Sequence, residues 1–288
     1  VTQPKSRSIR RAGIERYNSV MSHRIRMGPR EVPFLITSRS LDTITLLILS
    51  REVFMSKITS KNINIQNKRI LTYDDMAAVQ PGNSQEPLVD VRTYSPTIIA
   101  EYEQSDMHAY TGSLIIVRDT VAQRLARVNN TLQEDDLRLR IVYGYRHPNV
   151  QQAYFRKRKA ALRKDNPEMP EYDLIRLTHD FIAVPDVAGH PMGAAVDLTI
   201  VDKNDKPLDM GSSIANYSNL DIIKTYAAGL SANQIANRRR LHDAMIAEGF
   251  APFYGEWWHF SYGDREWAAF YGRTALYGPV DFRIKANQ

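Results

Sequence analysis

With 288 residues, 43% of them apolar and 24% charged, the chain can bury the core of one domain of about 200 residues and still leave an appendage, which excludes a disordered or fibrous protein. The longest apolar run, residues 44–49 (ITLLIL), is far shorter than the roughly 20 residues that cross a bilayer, and no signal-peptide pattern opens the chain, so a soluble protein is expected. There is no cysteine, which removes disulfides, thiolate zinc sites and a thiol nucleophile and leaves His, Asp and Glu to hold any metal.

In chain order, residues 1–30 come first and account for the net charge of +6: eight Lys and Arg face only Glu15, which leaves the remainder near neutral. This stretch reads as a solvated basic arm, with an anionic envelope surface as its candidate partner. RNA-binding aromatics are not interleaved there, so nucleic acid is not expected. Val1 in place of an initiator Met suggests residues lost upstream, to a signal peptidase or otherwise. The bacterial periplasm or cell envelope is the expected location, with the cytoplasm as the alternative.

From Val32 to about Met76, short apolar runs suggest strands or a small α/β appendage, and the loop at 80–87 (QPGNSQEP) reads as a boundary. The expected division is therefore 1–87, a basic arm and extension, and 88–288, the main domain. Val121, Leu125, Val128 and Leu132 lie at helical spacing. Residues 137–145 alternate Leu137, Leu139, Ile141 and Tyr143 on one face, as a half-buried strand does, and deliver Arg146 and His147 at its end. A helix after Pro148 follows, with Val150, Ala153, Tyr154, Ala161 and Leu162 on one side and the charge run Arg156 to Lys159 as its solvated face. Residues 194–202 read as a strand with Val196, Leu198 and Ile200 on one side and Asp197 and Thr199 on the other. Ser231 and Gln234 make a capping box for a last long helix that stops before Gly249. Strands and helices mix without strict βαβ alternation, so the expected class is α+β.

Two short stretches carry residues suited to chemistry. In "GHPMGAAVD", Pro191 and Gly193 fit a loop, so a loop histidine, His190, and a strand-start aspartate, Asp197, can converge. In "GEWWHF", an ideal strand sends Glu256 and His259 to opposite faces, so the segment must bend if the two act together. Alone, each stretch also reads as ordinary structure: a hydrogen-bonded loop histidine and an aromatic strand. Together they supply two imidazoles and two carboxylates. Zinc in hydrolases commonly takes three protein ligands and leaves a fourth position to water, which would use His190, Asp197 and His259 and leave Glu256 free to take a proton.

The residues Ala188-Gly-His190-Pro-Met-Gly193-Ala-Ala195-Val-Asp197 and Glu256-Trp-Trp-His259 resemble the S-x-H-x-x-G-x-A-x-D and E-x-x-H motifs of zinc D-alanyl-D-alanine dipeptidases of the VanX type, within the D,D-peptidases that share a fold with the hedgehog signalling domain. The doubled tryptophan points to the dipeptidase branch. Residues 89–96 (VDVRTYSP) and 144–155 (GYRHPNVQQAYF) resemble two further stretches of those enzymes, and the likeness covers roughly 88–270. The resemblance implies an antiparallel sheet flanked by helices. It also implies one Zn2+ per chain on His190, Asp197 and His259, Glu256 as general base and then acid, and Arg146 at the oxyanion. The substrate implied is a small peptide containing D-amino acids. A D,D- or L,D-carboxypeptidase acting on longer stem peptides is the alternative, and a non-catalytic zinc-binding module of the same fold is another.

Two departures bear on specificity. Ala188 replaces the motif's serine, and no carboxylate lies between Met210 and Asp221, where the dipeptidases carry an acid for the substrate's amino group. Free D-Ala-D-Ala is therefore expected to be a poor substrate or to be held by another acid, for which Asp221 is the candidate. His23, His108, His147, His179 and His242 have no such partners in sequence and are expected to be structural or surface residues.

Overall fold

A computed structural model describes residues 69–284; the basic arm and the appendage runs before residue 69 lie outside the described residues. The centre of the described chain is a five-stranded sheet in the order β2-β4-β5-β7-β6, built from β2 (Ile99–Ala100), β4 (Arg138–Tyr143), β5 (Ala195–Val201), β6 (Ala251–Pro252) and β7 (His259–Ser261). All neighbours are antiparallel except β2 with β4, which corrects the expected antiparallel sheet at one edge. Between those two strands the chain passes through α2 (His108–Thr111), β3 (Ile116–Arg118) and α3 (Asp119–Gln133). A crossover of that length lets the chain return beside β2 in the same direction, which a tight hairpin does not allow. A separate antiparallel pair joins β1 (Leu88–Asp90) to β3.

The helices pack where their apolar positions require. Val121, Leu125, Val128 and Leu132 of α3 are all buried, together with Leu139 and Ile141 of β4 and Val196, Leu198 and Ile200 of β5. α7 (Ala232–Ala247) starts at the Ser231–Gln234 capping box and adds Leu241 and Met245 to the same core. The other main helices are α4 (Pro148–Asp165), α5 (Glu171–His179) and α8 (Arg265–Tyr271), with a short turn, α6, at Leu220–Ile223.

The expected single face of β4 breaks at its end. Ile141 pairs with Leu198, but Tyr143 pairs with Asp197, so one extra residue is accommodated as a bulge. The slip moves Tyr143 off the core face and onto the face of Asp197, away from Leu139 and Ile141, which is how a bulge re-aims a side chain.

The stretch 69–87 packs onto the same body. α1 (Tyr73–Ala77), capped by Thr72 and Asp75, buries Met76. Gly82 N–H donates to the Tyr277 carbonyl at 3.1 Å. The Tyr277 hydroxyl donates to Glu86 at 2.7 Å.

Candidate metal centre and active site

β5 and β7 set the centre of the site. Asp197 and His259 are directly paired across the two strands, which places their side chains side by side on one face. His190 arrives from a one-turn 3-10 helix, His190–Met192, that Gly193 ends in the left-handed region at φ 68°. A side chain there would suffer from that backbone and would also meet Leu88 at 2.3 Å.

One donor atom from each of His190, Asp197 and His259 lies within 4.8 Å of the other two. Each Asp197 oxygen faces one imidazole: Oδ1 lies 2.9 Å from His259 Nδ1 and Oδ2 lies 3.3 Å from His190 Nε2. The far nitrogens are held from behind. His190 Nδ1 donates to the Gly144 carbonyl at 2.7 Å, which leaves Nε2 with its lone pair toward Asp197, and His259 Nε2 lies 3.6 Å from Glu266 Oε2.

Glu256 reaches this group because the strand does not begin until His259. Residues 257 and 258 form a turn, closed by His259 N–H donating to the Glu256 carbonyl at 3.3 Å, so the bend that the motif requires is present. Trp257 and Trp258 hold the turn by burial in the core, with rings 5.5 Å apart and nearly perpendicular. Trp257 also donates from its indole nitrogen to the Ser212 hydroxyl at 2.9 Å.

His190, Asp197, His259, Glu256 and Glu266 line one cavity of about 450 Å³, together with Arg146. The Arg146 guanidinium donates to Gln151 Oε1 at 2.9 Å and lies 4.2 Å from the Tyr143 ring centre and 5.3 Å from that of Tyr154. Both tyrosine hydroxyls donate to Asp106 Oδ2 at 2.5 Å. Arg146 Nε is buried with no hydrogen-bond partner among the described residues.

Ionisation states differ sharply within this small volume. Burial would raise the Asp197 carboxyl, but His190 and His259 outweigh it and hold that carboxyl well below the usual range. Burial keeps His190 down. His259 also loses by burial, yet Glu266 and Asp197 carry it well above its ordinary value. Burial pushes the Glu256 carboxyl up to about 7, with His259 opposing the rise and Asp197 adding to it. A carboxyl poised near neutrality beside an ionised one is the pattern of an acid–base residue next to an electrostatic anchor.

The Peptidase M15 family, D-ala-D-ala dipeptidase, matches residues 85–277. The chain belongs to this family. A D-alanyl-D-alanine dipeptidase of Synechocystis sp. is 34% identical over 108 residues, covering 32% of this chain and 44% of that protein. A D-alanyl-D-alanine dipeptidase of Enterococcus faecium is 35% identical over 77 residues, covering 25% of this chain and 36% of that protein. The matched stretch is thus under half the length of either relative. Among solved structures, a mutant of the vancomycin resistance D,D-pentapeptidase VanY with Zn(II) superposes with a TM-score of 0.38 at 16% identity, covering 68% of this chain and 92% of that one. The D,D-dipeptidase VanXYg, in complex with a D-Ala-D-Ala phosphinate analogue, gives 0.34 at 18% identity, with 72% of each chain covered.

For this family member, the structure brings together five of the six residues singled out from sequence: His190, Asp197, His259, Glu256 and Arg146. It does not bring Asp221. That residue sits in the α6 turn with its side chain 86% exposed and paired to Lys224 at 2.6 Å, and it is absent from the cavity wall. Where an acid was sought after Met210, the cavity receives Ile214, Ala215 and Tyr217 instead, and Tyr217 opposes the rise of the Glu256 carboxyl.

The remaining histidines divide. His147 caps α4 and pairs with Asp281 at 2.8 Å, and His242 stacks on Tyr254, both structural arrangements. His179, by contrast, lines the cavity, with its Nδ1 accepting from Val184 N–H at 3.2 Å. Sequence reasoning missed Tyr217, Gln151 and Glu266. For Gln151 a signal existed, since Gln151, Tyr154 and Arg158 share one face of α4 at spacings of three and four.

Proposed function

We propose that the chain is a zinc metallopeptidase that hydrolyses D-Ala-D-Ala or a related peptide containing D-amino acids. The observation that carries this reading is the convergence, in one cavity, of the His190, Asp197 and His259 donors with a carboxyl outside that set, Glu256, and a partly buried arginine, Arg146. The donor set suits one zinc ion per chain: two imidazoles, each with its far nitrogen backed by an acceptor, and one ionised carboxylate. A zinc ion held there supplies Lewis acidity and lowers the pKa of a coordinated water toward ~7.

The chain's own residues do the rest. Glu256, as carboxylate, takes a proton from the attacking water and passes it to the leaving amine; its raised pKa suits it to both transfers near neutral pH. Tyr217, beside it in the cavity, favours the Glu256 carboxylate against the rise that burial causes. Arg146, fixed by Gln151 and by the two tyrosine rings, faces the carbonyl oxygen as negative charge develops on it, a role worth roughly 3 kcal/mol by comparison with other oxyanion donors. Partial burial of the group strengthens each of these interactions.

The test is hydrolysis of a panel of D-dipeptides, with and without chelator. Chelator-sensitive release of D-Ala is expected, and turnover that survives chelation with no metal bound would overturn the zinc assignment. A carboxypeptidase acting on longer stem peptides is the second reading, favoured by the extension of the cavity along α4. N-acetylation of the substrate separates the two: a dipeptidase loses activity and a carboxypeptidase does not.

A further inference from the structure

Asp106 lies between β2 and α2, outside both short motifs and absent from the cavity wall. Its place is fixed by its neighbour: Met107 is fully buried in one cluster with Tyr143 and Tyr145, and its sulfur accepts from His147 N–H at 3.3 Å. A single oxygen of the Asp106 carboxylate, Oδ2, receives the hydroxyls of Tyr143 and Tyr154, each at 2.5 Å. Oδ1 is buried with no hydrogen-bond partner among the described residues. Such an acid is a poor stabiliser, because the orphan oxygen keeps its desolvation cost. What the arrangement achieves is to fasten together the turn before α2, the end of β4 and α4.

Both tyrosine rings face one group. The Arg146 guanidinium carbon lies 4.2 Å from the Tyr143 ring centre and 5.3 Å from that of Tyr154. Gln151, buried and anchored by donating to the Ala183 carbonyl at 2.8 Å, accepts from Arg146 Nη1 at 2.9 Å. Ring faces hold a guanidinium by its flat side and use none of its N–H donors, which lie in the plane. A carboxylate bonded directly to Arg146 would take two of those donors in its fork. Arg146 makes no ion pair among the described residues, and its Nε is buried without a partner there. By acting through two tyrosines, each fastened at its hydroxyl as well as at its backbone, a carboxylate can hold the cation and leave free the edge that a carbonyl oxygen needs.

We infer that Asp106 is a positioning residue for the reaction: through the Tyr143 and Tyr154 hydroxyls it fixes the two rings on which the Arg146 guanidinium rests, and so aims that group into the cavity. It acts through Arg146 alone. His190, whose ring Tyr143 meets edge to face at 5.6 Å, keeps its own bond to the Gly144 carbonyl, so the donor set does not depend on Asp106.

This inference rests on the peptidase reading, and two measurements keep their failures apart. The first is kinetic, on the D-dipeptide of the panel that the zinc-loaded unsubstituted chain hydrolyses fastest. Asp106→Ala should lower kcat about tenfold, short of the ~10²-fold that a 1 Å misplacement can cost, with KM within about twofold and zinc content unchanged. The Tyr143→Phe/Tyr154→Phe double variant keeps the rings and the carboxylate but cuts both hydrogen bonds, and it should do the same. In an Arg146→Lys background either change should lower kcat by no more than about twofold further, whereas damage to the fold lowers both backgrounds alike. An unchanged kcat in either variant that folds, or an equal loss in both backgrounds, overturns the inference. The second measurement needs no turnover. The Nε–H nuclear magnetic resonance signal of Arg146, assigned by its loss in Arg146→Lys, should carry a ring-current shift from Tyr143 that Asp106→Ala and the double Phe variant both diminish. A signal that neither variant moves overturns the inference even where kcat falls. A moved signal in a chain that hydrolyses none of the dipeptides sinks the peptidase reading and leaves the link from Asp106 to Arg146 standing.

Discussion

The two ends of the cavity solve opposite electrostatic problems. At the inner end, Asp197, His190, His259 and Glu256 sit so close that each shifts its neighbours' charge. Along α4, Lys157 and Arg158 line the cavity and make no ion pair among the described residues. A buried cluster that balances itself can hold a cation and move protons, whereas unpaired cations on a cavity wall are left to bind something that arrives from outside. Substitutions at the inner end should therefore abolish metal binding or chemistry, and those at Lys157 and Arg158 should alter only the choice of peptide.

The sharpest break in that contrast is removal of a donor. His190→Ala is expected to drop zinc content from one per chain to a small fraction of that, as measured by elemental analysis after dialysis, because two remaining donors do not complete the set. Retention of one tight zinc would place the metal elsewhere.

Next comes Glu256→Gln, which should keep the metal but lose at least ~10²-fold in kcat, the usual contribution of a general acid–base. Loss of metal along with activity would make Glu256 a ligand and erase its separation from the cluster. Arg146→Lys should cost about tenfold or more in kcat with zinc retained, since an ammonium keeps the charge but not the planar donors. A kcat equal to the parent's would move Arg146 out of the reacting group.

The smallest effect concerns a buried group at the cavity that lies outside the cluster. Burial takes the His179 imidazole down to about 4, with Asp74 opposing weakly. Between about 4 and the ordinary 6.5 the unfolded chain binds a proton that the folded chain refuses, so stability rises with pH across that window. It is complete above about 6.5 and is lost as the pH falls toward about 4, a change on the order of 2–3 kcal/mol. Urea unfolding at several pH values should show this slope, and His179→Asn should flatten it. An unchanged slope in that variant would assign the acid sensitivity to other groups.

The separation between the ends also explains what could be read in advance. The inner residues lie in two short windows whose backbone demands are local. Pro191 and Gly193 turn the chain at His190, and the alternation of β5 sets Asp197 opposite Val196 and Leu198. The α4 wall was misread because its charge run fits a solvated helix face equally well, and only the packing of Phe181 against Arg158 distinguishes one cation from its neighbours. Asp221 was misread for the converse reason: proximity in sequence to Met210 says nothing about direction, and the α6 turn points it to solvent beside Lys224.

The sequence by itself determined the α+β class and the capped long helix and singled out His190, Asp197, His259 and Glu256, which the fold gathers in one cavity, because residue type, spacing and alternation act over a few positions. Tertiary structure alone decided three things: the bulge that turns Tyr143 toward Asp197, the parallel β2 edge, and the entry of Tyr217 and Arg158 into one cavity. Each depends on contacts between segments far apart in the chain, and such contacts are chosen by packing and charge in three dimensions, which no local pattern encodes.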